Sequence, residues 1–200
     1  DCGINSVEEV KCARDYGIDV IVTDHHEVRG GAHPDAYAIL DPHQEGCESP
    51  FKHLAGVGVA YKLACALKGG EDNEVNEHLD LVALGTIADI APLNGENRIL
   101  SKAGLKRLRN TRKPGLEALM EVARVNPEKL TCRSIGFALG PRINAMGRVG
   151  SANVALELLM SKDAAEAREL AKRLDKENRN RQAIEKGILK EAVEIVRADP

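Results

Sequence analysis

Apolar positions in the first 40 residues change from a helical spacing to continuous runs. Ser6 and Glu9 have the spacing of a capping box, which predicts that a helix begins at Ser6 and extends over 6–16. The run IDVIVT at 18–23 predicts a strand buried on both faces, and AYAIL at 36–40 predicts a second strand. Helix alternating with buried strand indicates an α/β fold with a parallel sheet flanked by helices.

Beyond Asp41 the apolar positions recur at helical spacing. Helices are predicted for GVGVAYKLACALKGG and NEHLDLVALGTIADI, with shorter ones near Ile99–Leu108, Gly115–Ala123 and Cys132–Leu139. From Asp163 to Ala198 there is no proline, which predicts about 35 helical residues spanning roughly 50 Å. Its many charges indicate a connector between domains, and a plain C-terminal packing helix is the alternative. The expected organisation is one α/β domain over 1–160 and a connecting helix over 161–200.

Composition excludes several classes of protein. Of the 200 residues, 43% are apolar and 30% are charged, which is typical of a globular chain. No run of about 18 apolar residues occurs, so no membrane span is predicted. The opening DCGINSVEEV lacks the basic head and apolar core of an export signal. The five cysteines are scattered, which favours reduced thiols in a cytoplasmic protein over a disulfide or zinc site.

Charge is distributed unevenly along the chain. Residues 1–97 carry 6 Lys and Arg against 18 Asp and Glu, whereas residues 98–148 carry 12 against 3. An acidic half suits cations and a basic half suits a polyanion, with a solvated surface as the alternative. Because aromatic residues are only 2% of the chain, we expect backbone electrostatics rather than base stacking to dominate any nucleic-acid binding.

Candidate metal ligands follow the first predicted strand and occur at two other places. Asp24, His25 and His26 stand at the end of the strand, where ligands of parallel sheets gather. Asp1 precedes a predicted tight turn, and Asp89 lies in an apolar sequence where a lone carboxylate is costly to bury. Carboxylate and imidazole ligands together suit Mn²⁺ or a similar ion. For each residue alone, a capping or loop hydrogen bond is the alternative role.

A second candidate site is the glycine-rich segment GPRINAMGRVGS at 140–151. It combines Arg142, Asn144 and Arg148 with three glycines. Glycines let a backbone approach an anion, and arginine guanidinium groups bind phosphate in two-point fashion. The segment therefore indicates a phosphate-binding surface, with a glycine-rich helix junction as the alternative.

Five segments, in this order, resemble the DHH phosphoesterase superfamily and, within it, the bacterial RecJ-like single-stranded-DNA exonucleases. They are DCGI, VTDHHE, FKHLAGVGVAYKL, LVALGTIADIAPL and GPRINAMGRVGSA. DHH alone is shared with inorganic pyrophosphatases and oligonucleotide phosphodiesterases, whereas GPRINAMGR points to the RecJ-like group. The resemblance implies that 1–160 is a partial DHH catalytic domain and that 161–200 is the helix joining two domains.

The resemblance also implies roles for individual residues. Asp1, His25 and Asp89 fall at metal-ligand positions for Mn²⁺ or Mg²⁺. His26 falls where the family contacts and polarises the scissile phosphate, and Asp24 falls at a position that is either a ligand or orients the histidines. The residues expected to face the nucleic-acid backbone are Arg142, Asn144 and Arg148.

The activity implied is metal-dependent hydrolysis of single-stranded DNA from the 5′ end, in DNA repair and recombination. Other expected partners are single-strand-binding protein and a helicase, reached through regions absent from this chain. The family's upstream D-x-D motif, the strand before DCGI and a second domain are also absent. We therefore expect an internal fragment with little or no nuclease activity by itself. The alternatives are a DHH phosphodiesterase for short oligonucleotides or cyclic dinucleotides, and an inactive binding module of a replication complex.

Overall fold

The computed structural model describes residues 1–70, 72–149 and 152–198, except for the side chains of Met146, Arg148 and Val149. The chain divides into two compact units, Asp1–Leu108 (unit 1) and Arg109–Pro200 (unit 2). The functional boundary at residue 160 therefore stays a prediction. Among the described residues, none of the helices combines the length and the apolar content that a membrane span needs.

Unit 1 contains a small sheet and five helices in its described part. Its elements are α1 (Val7–Asp15), β1 (Ile21–Thr23), β2 (Ala38–Leu40), α2 (Gly56–Leu67), α3 (Asn73–Asn76), α4 (Leu79–Ala88) and α5 (Gly95–Leu108). The predicted first helix and both strands are confirmed in slightly shorter form. The predicted helix NEHLDLVALGTIADI begins later than expected, and α4 ends with Asp89 as its C-cap residue.

The two strands pair in parallel, as predicted, with Ile21 opposite Ala38. Val22 is 3% exposed and packs with Ile4 and Val10 in a small apolar cluster. Ile21, in contrast, is 58% exposed, so the expectation of a strand buried on both faces is wrong for β1 within the described structure. Alternating exposure along a strand is the pattern of a sheet that is covered on one face.

The helical part of unit 1 depends on a close approach between α4 and α5. Gly104 of α5 lies directly against the backbone of Leu79, and an added Cβ would overlap the Leu79 carbonyl oxygen. A glycine is therefore required here by packing. Leu54, Val82 and Leu100 belong to the buried apolar cluster of this unit. Gly104 thus lets α5 lie against the first half of α4, at Leu79 and Ala83.

Unit 2 is helical throughout its described part. Its elements are α6 (Pro114–Val122), a 3-10 turn (Pro127–Lys129), α7 (Cys132–Ser134), a π-helix (Ile135–Leu139), α8 (Gly140–Val149), α9 (Asn153–Met160) and α10 (Ala164–Ala198). The predicted long C-terminal helix is confirmed as the 35 residues of α10. Its first half buries Leu170 and Leu174 within the unit, whereas residues 182–198 are exposed.

The π-helix precedes a proline, which explains its wider turns. Pro141 has no N–H, so it cannot donate the hydrogen bond that continues an α-helix. An α-helical hydrogen bond from residue 141 would go to the carbonyl of Phe137, and the Nη1 group of Arg142 donates to the next carbonyl, that of Ala138, at 2.6 Å. Single-turn π segments occur frequently at functional sites. The expected helix over Cys132–Leu139 is therefore present, but more than half of it has π geometry.

Candidate metal centre

The tight turn after β1 is organised by the carboxylate of Asp24, which is 1% exposed. Its Oδ2 accepts the backbone N–H of Ile4 at 3.0 Å. Its Oδ1 accepts the N–H of His25 at 2.8 Å and lies 2.6 Å from Nδ1 of His26. Because both oxygens are engaged, this geometry favours the orienting role over the ligand role that the sequence left open.

Hydrogen bonding sets the charge of Asp24. Burial alone would raise the pKa of this carboxyl, but the hydrogen bonds from the backbone of Ile4 and the ring of His26 outweigh burial and lower the pKa to about 2. Asp24 is therefore ionised at neutral pH. An ionised acceptor beside Nδ1 keeps the proton on that nitrogen, which directs Nε2 of His26 away from the turn.

Replacing Asp24 with asparagine is expected to destabilise unit 1 in a pH-dependent way. Because the folded pKa lies below the ordinary value of 3.8, the ionised group contributes stability above about pH 4 that is lost as the pH falls towards 2. The difference in unfolding free energy between wild type and Asp24→Asn should shrink by about 1 kcal/mol between pH 6 and pH 3. Urea unfolding of the wild type and of Asp24→Asn at both pH values measures this difference in free energy.

The matched control for this prediction is Asp19→Asn, at an exposed position of the same unit. It should change the unfolding free energy by less than about 0.5 kcal/mol at either pH. A constant difference between wild type and Asp24→Asn across the pH range would contradict the assigned charge state.

Two carboxylates converge on His25, as the sequence predicted. Nε2 of His25 lies 2.9 Å from Oδ1 of Asp1 and 3.7 Å from Oδ2 of Asp89. Among the described residues, ligand atoms of Asp1, His25 and His26 also lie within 4.8 Å of one another. The distances confirm the convergence, while the individual ligand roles stay a prediction.

The state of His25 fits a metal ligand. Burial lowers the pKa of His25, and the nearby Asp89 carboxylate opposes this only in part. Its Nε2 is buried and has no hydrogen-bond partner among the described residues, although Asp1 is close. A neutral imidazole with an unpaired buried nitrogen facing two carboxylates is costly without a cation. The oxygen and nitrogen donors suit Mn²⁺ or Mg²⁺ better than a thiolate-binding metal.

His43 was not identified from the sequence as part of this site. Its Nδ1 lies 2.8 Å from the backbone oxygen of His25, and its own N–H donates to Oδ1 of Asp41 at 2.7 Å. The carbonyl can only accept, so Nδ1 of His43 donates. The bond ties the loop after β2 to the loop after β1 and fixes the His25 backbone. The available signal was the DPH segment directly after the second strand.

Gly56 was also missed. It is the first residue of α2, and an added Cβ would overlap Oδ1 of Asp1. Only a glycine lets the Asp1 carboxylate lie against the beginning of this helix. The signal was the Gly-Val-Gly spacing in LAGVGVA, which an ordinary helix start does not need.

Comparisons with known proteins agree with this site. Residues 1–86 match the DHH family, N-terminal domain. The chain is 48% identical to the single-stranded-DNA-specific exonuclease RecJ of Bacillus subtilis over 196 residues, which are 98% of this chain and 24% of that protein. It is 46% identical to the Escherichia coli RecJ, over 98% of this chain and 36% of the relative.

Over residues 1–86 the chain is therefore similar to the N-terminal domain of the DHH family, and over nearly its whole length it is similar to RecJ exonucleases. It spans about a quarter to a third of the length of these relatives. The crystal structure of RecJ from Thermus thermophilus in complex with Mn²⁺ matches it with a TM-score of 0.83 and 37% identity, over 96% of this chain and 28% of that one. A second structure of the same protein, in complex with Mg²⁺, matches with a TM-score of 0.72 and 37% identity. This match covers 88% of the present chain and 26% of the RecJ chain.

The second predicted site lies in unit 2. Nε and Nη2 of Arg142 donate to Oδ1 of Asp175 at 3.0 and 2.9 Å, and the Arg142 side chain is only 16% exposed. Asn144 is exposed. The side chain of Arg148 lies outside the described residues. Contact of these three residues with nucleic acid stays a prediction, and Arg142 has a structural partner that the sequence did not reveal.

Proposed function

We propose that this chain is part of a longer exonuclease that hydrolyses single-stranded DNA from its 5′ end with Mn²⁺ or Mg²⁺. The observation that carries the proposal is the convergence of Asp1 and Asp89 on the unpaired, buried Nε2 of His25. The identity with RecJ single-stranded-DNA-specific exonucleases over nearly the whole chain supports the substrate, and the polarity follows from the family resemblance of the sequence. Because the chain covers only part of these relatives, further metal ligands would come from elsewhere in the whole protein.

The residues of the site would have different roles in hydrolysis. Asp1, His25 and Asp89 would hold the cation, which when bound polarises phosphate oxygens and lowers the pKa of water. With a proton on each ring nitrogen, His26 would donate from Nδ1 to Asp24 and from Nε2 to a phosphate oxygen, and so stabilise the charge that develops there. The ionised Asp24 favours this by holding Nδ1 of His26 at 2.6 Å.

Basic residues would hold the DNA backbone without reading its sequence. Arg142, Asn144 and Arg148 are the proposed contacts, in a part of the chain with a large excess of Lys and Arg. We further propose a role in DNA repair and recombination, with single-strand-binding protein and a helicase as partners of the whole protein. A cytoplasmic location is supported by the five cysteines, all of which are free thiols.

The test compares cleavage by the whole protein and by this chain alone. With Mn²⁺, the whole protein should release mononucleotides from 5′-labelled single strands, leave duplexes intact and stop when EDTA is added. His26→Ala should lower the rate at least about 100-fold with Mn²⁺ affinity changed less than about threefold. His33→Ala, at an exposed histidine, is the control. The chain alone should show little or no turnover.

Other outcomes would favour the two alternatives. Cleavage confined to dinucleotides or cyclic dinucleotides would replace the exonuclease with a small-substrate phosphodiesterase. Absence of both Mn²⁺ binding and cleavage in the whole protein would indicate a binding module.

A further inference from the structure

Phe137 is an exposed aromatic side chain in a chain that has very few. The sequence contains two phenylalanines, three tyrosines and no tryptophan. Phe137 lies in the π-helix Ile135–Leu139 and is 76% exposed, whereas its neighbours Ile135 and Leu139 are fully buried. Tyr16 and Tyr37 are also exposed, at 80% and 75%, and single exposed apolar residues are normal, so a binding role for Phe137 depends on what lies beside its ring.

A cation lies over the Phe137 ring. The guanidinium carbon of Arg133, one turn earlier, is 5.1 Å from the ring centroid. Such a cation–π contact holds the ring in a defined orientation. Because most of the ring remains accessible, a flat ligand can stack on it while the Arg133 guanidinium attracts a nearby anion.

Gly136, the residue before Phe137, faces open space. An added Cβ at this position would meet no described atom within 4 Å outside its chain neighbours, and its backbone does not adopt a positive φ. Neither packing nor backbone conformation in the described structure therefore requires a glycine, although glycine is unfavourable in a helical segment.

The charge of the sequence segment that contains Phe137 favours a polyanion. Between residues 109 and 149 the chain carries eight Lys and Arg against three Asp and Glu. An aromatic ring, an adjacent arginine and an excess of positive charge are the combination with which proteins bind single-stranded nucleic acids.

We propose that Phe137 and Arg133 form a stacking platform for one base of single-stranded nucleic acid. The inference rests on the proposed function and adds a base contact to a surface expected to bind only phosphates. Any of the four bases offers a π-face, so the platform binds without sequence preference. The low aromatic content predicted that backbone electrostatics rather than base stacking dominate binding, and a stacking contact with one base is compatible with that prediction.

The experiment distinguishes binding of the bases from binding of the phosphates. The whole protein, with EDTA present, is titrated with a 12-residue oligothymidylate and with a 12-residue abasic strand of the same phosphate number. Phe137→Leu should weaken binding of oligothymidylate by about 5- to 150-fold and change binding of the abasic strand by less than about twofold. Phe137→Trp, which keeps a ring, should retain the wild-type affinity.

Tyr37→Leu is the matched control, because Tyr37 is a similarly exposed ring at 75%. It should leave both affinities unchanged. If Phe137→Leu weakens binding of both strands equally, or weakens binding of neither, the platform is refuted while the proposed function stands. A wild-type protein that binds neither strand would refute the proposed function itself, and the platform with it.

Discussion

Replacing His25 with alanine is expected to lower the affinity of this chain for Mn²⁺ by about 100-fold or more. Loss of residues that merely orient a metal ligand typically costs 10- to 100-fold, so removal of a ligand should cost at least as much. Nε2 of His25 is the atom on which Asp1 and Asp89 converge, and without it the two carboxylates share no nitrogen donor. Isothermal titration with MnCl₂ measures the change, and cleavage by the whole protein should be lost with it.

His33→Ala is the control for this prediction. His33 is exposed, and its ring has only a 3.4 Å contact with the carbonyl of Pro34. It should leave Mn²⁺ affinity unchanged. Circular dichroism of His25→Ala should show wild-type helix content, because the ring is not part of the apolar clusters of unit 1. Undiminished Mn²⁺ binding by a folded His25→Ala protein would mean that the convergence in unit 1 is not a metal site.

Replacing Asp175 with alanine is expected to destabilise unit 2 by about 3 kcal/mol. Asp175 is 5% exposed and accepts hydrogen bonds from Arg142, whose side chain is largely buried, and from Arg179. The substitution leaves the Arg142 guanidinium without its counter-ion and removes the ion pair that joins α8 to α10. Urea unfolding followed by circular dichroism, in which α10 contributes strongly, measures the loss.

An exposed ion pair on the same helix provides the comparison. Glu169 and Lys172 lie 2.6 Å apart with side chains 72% and 64% exposed, so Glu169→Ala should cost less than about 1 kcal/mol. Joint replacement of Arg142 by Met and Asp175 by Leu should recover much of the stability, because no unpaired charge remains. If Asp175→Ala costs as little as Glu169→Ala, Arg142 is available for phosphate, as the sequence suggested.

Local patterns predicted most of the elements of the fold. The capping-box spacing marked α1, the apolar runs marked β1 and β2, and the absence of proline between Asp163 and Ala198 marked α10. These features depend on residues near one another in the chain, which is why sequence spacing reveals them. Burial of Ile21 was predicted wrongly, because exposure depends on what covers a face and not on the strand's own residues.

The sequence predicted which residues belong to the candidate site, but not how they are arranged. The residue types at Asp1, His25 and Asp89 indicated a cation site before any distance was known. The DPH segment and the Gly-Val-Gly spacing marked His43 and Gly56 as unusual, but their supporting roles depend on partners 18 residues or more away in the chain, which local spacing does not reveal.

What the sequence by itself determined is the set of elements, the family resemblance and the presence of oxygen and nitrogen donors suited to a divalent cation. Only the tertiary structure decided that Asp24 orients the histidine turn, that Arg142 is paired with Asp175, and that Phe137 points to solvent. The physical reason is the range of the interactions concerned. Backbone propensity and apolar periodicity act over a few residues, whereas ion pairing, hydrogen bonding between loops and burial depend on which segments packing brings together.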